Sequence, residues 1–245
     1  MTYLVLFTAA LWAGVQNALA GGGSFITLPA LMLTGMDARA ANITSTVALF
    51  PAQMATGWTG RKHVAGAAGL SFKTLCIISL VGGALGAILL LITPPTFFAR
   101  LVPWLVLFAT LVFAWGSFGP RRESAPRLGR TGAALAQLCI SIYGGYYGGG
   151  LGFLMLAALT AAGLVMRNAG ATKNVLAGVM NASAVAIFVF SPEVRWLAAG
   201  IASGGAIIGG IVGGLMLQKV NERALRMVVV VIGIALTIGL FLHSP

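Results

Sequence analysis

The sequence predicts an all-α polytopic membrane protein of two inverted repeats, each a Gly-broken helical hairpin plus three transmembrane helices. Three observations carry that prediction: composition, the spacing of apolar runs, and an internal repeat. Of 245 residues, 59% are apolar and only 8% charged, and mean hydropathy is +0.98. A soluble domain carries roughly 25% charged residues to solvate its surface. Nineteen charges cannot cover a soluble protein of this size, so most of the surface must face lipid. This excludes an ordinary cytosolic enzyme, a nucleic-acid-binding domain and a disordered chain.

Apolar runs cover about 3–20, 25–35, 40–58, 72–92 and 97–117, then about 131–147, 152–163, 168–190, 195–217 and 224–242. A hydrocarbon core takes ~20 helical residues to cross. Three runs per half reach that length. In each half the first run meets a glycine cluster, Gly21-Gly22-Gly23 or Gly148-Gly149-Gly150, and a short run follows, ending at Gly35 or Gly163. The longest hydrophilic stretch, 119–130, is a basic linker between a first repeat, 1–118 (hairpin 3–35), and a second, 131–245 (hairpin 131–163).

The repeat is read in fixed register. Gly21, Gly22, Phe25, Gly35, Arg39 and Thr44 fall on Gly149, Gly150, Phe153, Gly163, Arg167 and Thr172 without a gap. Later glycines, Gly82, Gly83 and Gly86, fall on Gly209, Gly210 and Gly213 one position out of that register. An internal duplication follows.

The net charge of +11 is read as a topology signal, since cytoplasmic loops collect Lys and Arg. Twelve of the fifteen cations lie in 59–73, the linker, 167–173 and 219–226. With these toward the cytoplasm, only Arg39, Arg100 and Arg195 lie outside. Segments 1–35 and 131–163 then each start and end on one face and must be hairpins. The halves are inverted and both termini lie outside. Inverted repeats with broken helices are a mark of secondary transporters. Backbone at a break survives in a membrane only where it is buried or lines a wet cavity.

The candidate site follows from those breaks. After Gly23, Ser24 opens one short helix; after Gly150, Leu151 or Gly152 opens the other. Helix N-termini favour anions, so Gly21, Gly22, Gly23, Ser24, Gly148, Gly149 and Gly150 are expected around an anionic ligand, with Tyr147 just before the second cluster. The later glycines are expected to pack helices. Asn42, Thr44 and Ser45 open the helix after the first hairpin, and Thr172, Lys173 and Asn174 the helix after the second. Their hydroxyls either donate to a ligand or bond a helix carbonyl. Lys173 stands in an apolar helix, where a cation is a functional candidate or else snorkels to the interface. Gln16, Asn17, Gln53 and Asn181 are further polar candidates, Gln53 and Asn181 being repeat-related. The acids, Asp37, Glu123, Glu193 and Glu222, lie outside the expected spans, and Asp37 is expected to cap the following helix. A positive site without a buried acid points to an anion.

No enzyme is expected. Gly23-Ser24 resembles a nucleophile motif, but His63 and His243 are not placed to serve as its base. Cys76 and Cys139 lack metal-ligand spacing, so no metal or cofactor is expected.

The pattern GGGSFITLPALMLTGMDARAANITSTVAL resembles the N-terminal motif of the TauE/SafE sulfite exporter family, also described as the toluene sulfonate uptake permease family. YYGGGLGFLMLAALTAAGLVMRNAGATKNVL resembles its second copy, and GGALGAILL and GGIVGGLML match further on, so that the resemblance runs from about residue 8 to 240. It implies transport of sulfite, sulfonates, sulfoacetate-like compounds or thiosulfate across the bacterial inner membrane, with the glycine clusters, Thr44, Ser45 and Thr172 on the path. The second copy departs from the motif at Leu151, Ala157 and Lys173-Asn174. Lys173 moves the expected preference toward a more highly charged or carboxylated anion. The expected partners are that anion and membrane lipid, not nucleic acid; a homodimer stays open. An anion-selective channel and a non-transporting membrane scaffold are the rival readings.

Overall fold

A computed structural model describes residues 2–19, 22–118, 128–216 and 222–242. Among them are ten α-helices and no β-strand: α1 (Thr2–Leu19), α2 (Ser24–Met32), α3 (Ala38–Gly60), α4 (Phe72–Ile92), α5 (Pro95–Phe118), α6 (Arg130–Tyr146), α7 (Leu151–Ala161), α8 (Met166–Phe188), α9 (Trp196–Met216) and α10 (Glu222–Leu242). Each helix falls on one of the ten apolar runs. Asp37 caps α3 as expected: its carboxylate accepts from the Arg39 and Ala40 amides, both at 3.0 Å. Ser71 caps α4 through the Thr74 amide at 3.1 Å. The short helices α2 and α7 each run into a left-handed glycine, Gly35 (φ +89°) and Gly163 (φ +95°), a conformation that costs a side-chain-bearing residue about 1 kcal/mol.

Among the described residues, four helices are long and apolar enough to cross a membrane: Phe72–Ile92, Pro95–Phe118, Met166–Phe188 and the Trp196–Gly213 part of α9. The reading from sequence gave six full spans. The other two, α3 and α10, have 23 and 21 residues. The first turns of α3, however, carry Arg39 and the polar Asn42–Thr46 stretch, which dilutes its apolar content. Outward-facing apolar side chains run the length of the long helices: Ile77, Leu80, Leu85 and Ile88 on α4, and Trp104, Phe108, Leu111 and Trp115 on α5. In water this surface would be untenable, whereas in a bilayer it is the solvated face.

The packing couples the two ends of the chain. Helix α1 lies on α9, α6 on α4, α3 on α8, and α5 on α10. The close pairs rest on glycine, as expected for the later clusters. A Cβ on Gly86 would run into the Ile142 carbonyl of α6, and one on Gly209 into the Leu11 carbonyl of α1. Without a hydrophobic drive between helices in lipid, such close backbone approach supplies the association through van der Waals contact. The aromatic core, including Phe25, Phe98, Phe113 and Phe188, fills the space between α2, α5, α8 and their neighbours.

At the periphery, Arg39 joins three elements. Its guanidinium donates to both Glu193 carboxylate oxygens (3.0 and 2.5 Å) and to the carbonyls of Leu91 (3.3 Å) and Thr93 (2.5 Å). This clamps the start of α3 to the α8–α9 turn and the end of α4.

Candidate functional site

The chain breaks between α1 and α2 and between α6 and α7, and the two breaks meet around one cavity of about 60 Å³. That is several times the ~10–15 Å³ one water requires. Its walls come from five places: Asn17 of α1, Gly22 and Ser24 at the start of α2, Gln53 and Thr56 of α3, Gly148 with Leu151 and Gly152 at the start of α7, and Lys173, Asn174 and Ala177 of α8. None of these residues is acidic.

Both short helices point an N-terminus at the cavity. Their capping residues are glycines, Gly23 and Gly150, so neither helix has a side-chain cap of its own. First-turn amides without an intrahelical partner are the groups that bind anions at helix ends. Each break is held in shape from behind. On one side the Gln16 amide donates to the Gly22 carbonyl at 3.0 Å, and the Gly23 amide donates to Asn17 Oδ1 at 3.1 Å. On the other, Tyr143 donates its hydroxyl proton to the Gly149 carbonyl at 2.6 Å, and Asn42 Nδ2 donates to the Tyr146 carbonyl at 3.0 Å. Gly150 takes φ +68°, and a Cβ there would sit 3.0 Å from the Ala109 carbonyl oxygen. Both the left-handed turn and the packing against α5 therefore require glycine.

Lys173 supplies the charge. Its Nζ lies 3.5 Å from where a Cβ on Gly152 would stand, against the first turn of α7. The lysine thus points across the cavity and does not snorkel along α8. Among the described residues it has no ion-pair partner; the ion pair found there is Arg39–Glu193. An ammonium and a helix N-terminus are both positive, and bringing them together is unfavourable until an anion lies between them.

A family model described as sulfite exporter TauE/SafE matches residues 6–240. The chain belongs to the sulfite exporter TauE/SafE family. Its relatives include a probable membrane transporter protein of Haemophilus influenzae, 29% identical over 95% of this chain and 92% of the relative. The probable membrane transporter protein YfcA of Escherichia coli K12 is 27% identical over 98% and 90%. The probable membrane transporter protein ORF9 of Sinorhizobium sp. is 29% identical over 96% and 90%. No solved structure matches the chain.

In this TauE/SafE chain the residues singled out from the sequence separate into three groups. Gly22, Ser24, Gln53, Gly148, Lys173 and Asn174 line the cavity. Gly23, Gly149, Gly150 and Asn42 shape its two breaks from behind, and Asn181 donates to Gln53 Oε1 at 2.5 Å. Gly21 lies outside the described residues. The hydroxyl residues stand elsewhere. Thr44 accepts from the Arg195 amide at 3.3 Å, and Thr172 accepts from the Ala65 amide at 3.0 Å. Thr44 thereby fastens α3 to the loop before α9, and Thr172 fastens α8 to the loop before α4. Ser45 shares a 2.6 Å hydrogen bond with Thr27 of α2. The buried Tyr147 ring faces a small apolar space with Phe25, Leu28 and Val106, and its hydroxyl has no hydrogen-bond partner among the described residues.

Asn17, a further polar candidate, lines it too; Thr56, Leu151, Gly152 and Ala177 complete the lining and were not named as ligand contacts, Leu151 and Gly152 being read only as a helix start. A signal for two of them was present: Thr56 is one turn beyond Gln53, and Ala177 one turn beyond Lys173 and Asn174, so each shares a helix face with a candidate. Gly152 had no such signal, because its role is to leave room for a lysine from another helix.

Proposed function

We propose that the protein is a secondary carrier of small sulfur-containing anions such as sulfite, sulfonates or sulfoacetate. The observation that carries this reading is the Lys173 ammonium set against the α7 N-terminus in a cavity without an acid. An oxyanion there accepts from Lys173, from the amides that open α2 and α7, and from the Ser24 hydroxyl and the side-chain amides of Asn17, Gln53 and Asn174; the next amides, of Phe25, Ile26 and Phe153, already donate to the Gly22, Gly23 and Gly150 carbonyls. A charge-assisted set of this kind suits a tetrahedral or pyramidal oxyanion group. The family's name and its transporter relatives support the same class, and a transporter rather than an enzyme.

The route across is alternating access. Helices α1–α5 and α6–α10 are two copies of one unit, inverted in the membrane, each with a Gly-broken hairpin. The pairings of α1 with α9 and of α6 with α4 are equivalent under that exchange, and so are those of α2 with α10 and of α7 with α5. The cavity lies where the two hairpins meet, so rocking one unit against the other exposes it to each face in turn. The basic loops lie in the cytoplasm and both termini outside.

The test is uptake into proteoliposomes of labelled sulfite, thiosulfate, sulfoacetate and a plain carboxylate, with and without a pH gradient. Saturable uptake of one sulfur anion with counterflow is expected. Flux that does not saturate and shows no counterflow would replace the carrier with a channel. Uptake of the carboxylate alone would move the substrate class away from sulfur.

A further inference from the structure

A second concavity lies outside the cavity, on an exposed seam between α3 and α8. It measures about 310 Å³, and its lining is almost entirely apolar. Met54, Gly57 and Trp58 form the α3 wall, and Val175, Gly178 and Val179 the α8 wall. The seam is open because small residues face it: the nearest atom to a Cβ built on Gly178 is Met54 Sδ, at 3.7 Å. Along α3 it runs from Gln53 to Arg61, about 12 Å of helix.

Its two ends differ chemically. At the α3 terminus the Arg61 guanidinium lies 3.9 Å from the centroid of the Trp58 ring and donates through Nη1 to the Trp58 carbonyl at 2.8 Å. The cation is thereby held at the end of an apolar channel. Lys62, next in the chain, is exposed. Arg167 at the neighbouring end of α8 is exposed as well and contacts His63 Nε2 at 3.0 Å. An apolar slot closed by fixed cations matches a molecule with an apolar tail and an anionic head. In a bilayer that molecule is an acidic phospholipid, and such lipids are drawn to basic residues at helix ends.

We propose that this seam is a binding site for one anionic phospholipid, an acyl chain lying between α3 and α8 and the headgroup phosphate on Arg61. Gln53 lines both this seam and the cavity, so a bound chain lies one side chain away from the transported anion.

Native mass spectrometry of the full-length protein, delipidated in mild detergent, tests the proposal. The probes are phosphatidylglycerol and phosphatidylcholine with identical acyl chains. Wild type is expected to retain phosphatidylglycerol in preference. Arg61→Gln is expected to weaken that preference about fivefold, the scale of one basic contact at a membrane surface, and Arg61→Lys to keep most of it. Gly178→Leu, which fills the seam, is expected to lose the bound lipid. Arg61 is exposed, so the Arg61→Gln arm stands even if Gly178→Leu fails to fold. Equal retention of both lipids by wild type would overturn the site, as would a preference unchanged in Arg61→Gln. A dimer that dissociates on Gly178→Leu would also overturn it, because a second copy would then cover the seam.

Discussion

Lys173 illustrates how far one side chain can be read. A lysine in the second turn of an apolar helix has two outcomes, a cavity or the interface, and the sequence contains nothing that selects between them. The structure selects the cavity because Gly152, on a different helix, leaves the space the ammonium fills. Lys173→Ala is expected to weaken anion binding by ~1–3 kcal/mol, the range for a lost charge-assisted hydrogen bond; equilibrium binding of sulfite or sulfoacetate measures it, and unchanged affinity would remove Lys173 from the site. Gly152→Leu is expected to reduce binding by displacing the ammonium while leaving it charged, a distinction visible if uptake falls but thermal stability does not. Gly150→Ala should act differently. It combines a left-handed turn with a Cβ at 3.0 Å from the Ala109 carbonyl, so a loss of at least ~1 kcal/mol of stability is expected, read as a lower melting temperature in detergent.

At the scale of elements, α2 and α7 are too short to cross a bilayer, at 9 and 11 residues. Their apolar composition suits the interior of a membrane, and their glycine caps mark where they start. Both features were legible, because local backbone demands are written locally. The bracing of the helices was not. Thr44 and Thr172 recur in register, which left a ligand bond and a structural bond both open; in the structure they accept from the Arg195 and Ala65 amides. The repeat preserved a structural joint there, and a repeat cannot by itself separate a joint from a site. The Arg39–Glu193 clamp is a further joint, formed between residues 154 positions apart. The pair is 14% and 22% exposed, so screening is partial. Arg39→Ala should destabilise the fold by about 1–3 kcal/mol, leaving Glu193 and two carbonyls without a donor. Glu193→Gln should cost less, since it keeps an acceptor for the guanidinium. Denaturant unfolding in detergent checks both, and wild-type stability in Arg39→Ala would show the clamp to be ornamental.

For the whole molecule, the proposed inversion makes a prediction that needs no knowledge of the substrate. In a variant lacking Cys76 and Cys139, single cysteines at Lys62 and Arg130 should label from the same face of the membrane, and one at Arg100 from the other. Labelling of Lys62→Cys and Arg130→Cys from opposite faces would overturn the inverted arrangement and the alternating-access scheme with it.

The sequence by itself determined the solvent, the helices and the breaks. Lipid as solvent follows from composition, helix positions from the lengths of the apolar runs, and the breaks from glycine clusters, all of them properties of contiguous residues. Only the tertiary structure decided which polar groups face one another. The cavity is assembled from α1, α2, α3, α7 and α8, and the contact between Gly152 and Lys173 depends on two helices approaching at one register. The glycines that permit such approach were visible in the chain, but the partner each one meets is fixed by packing, which no local pattern encodes.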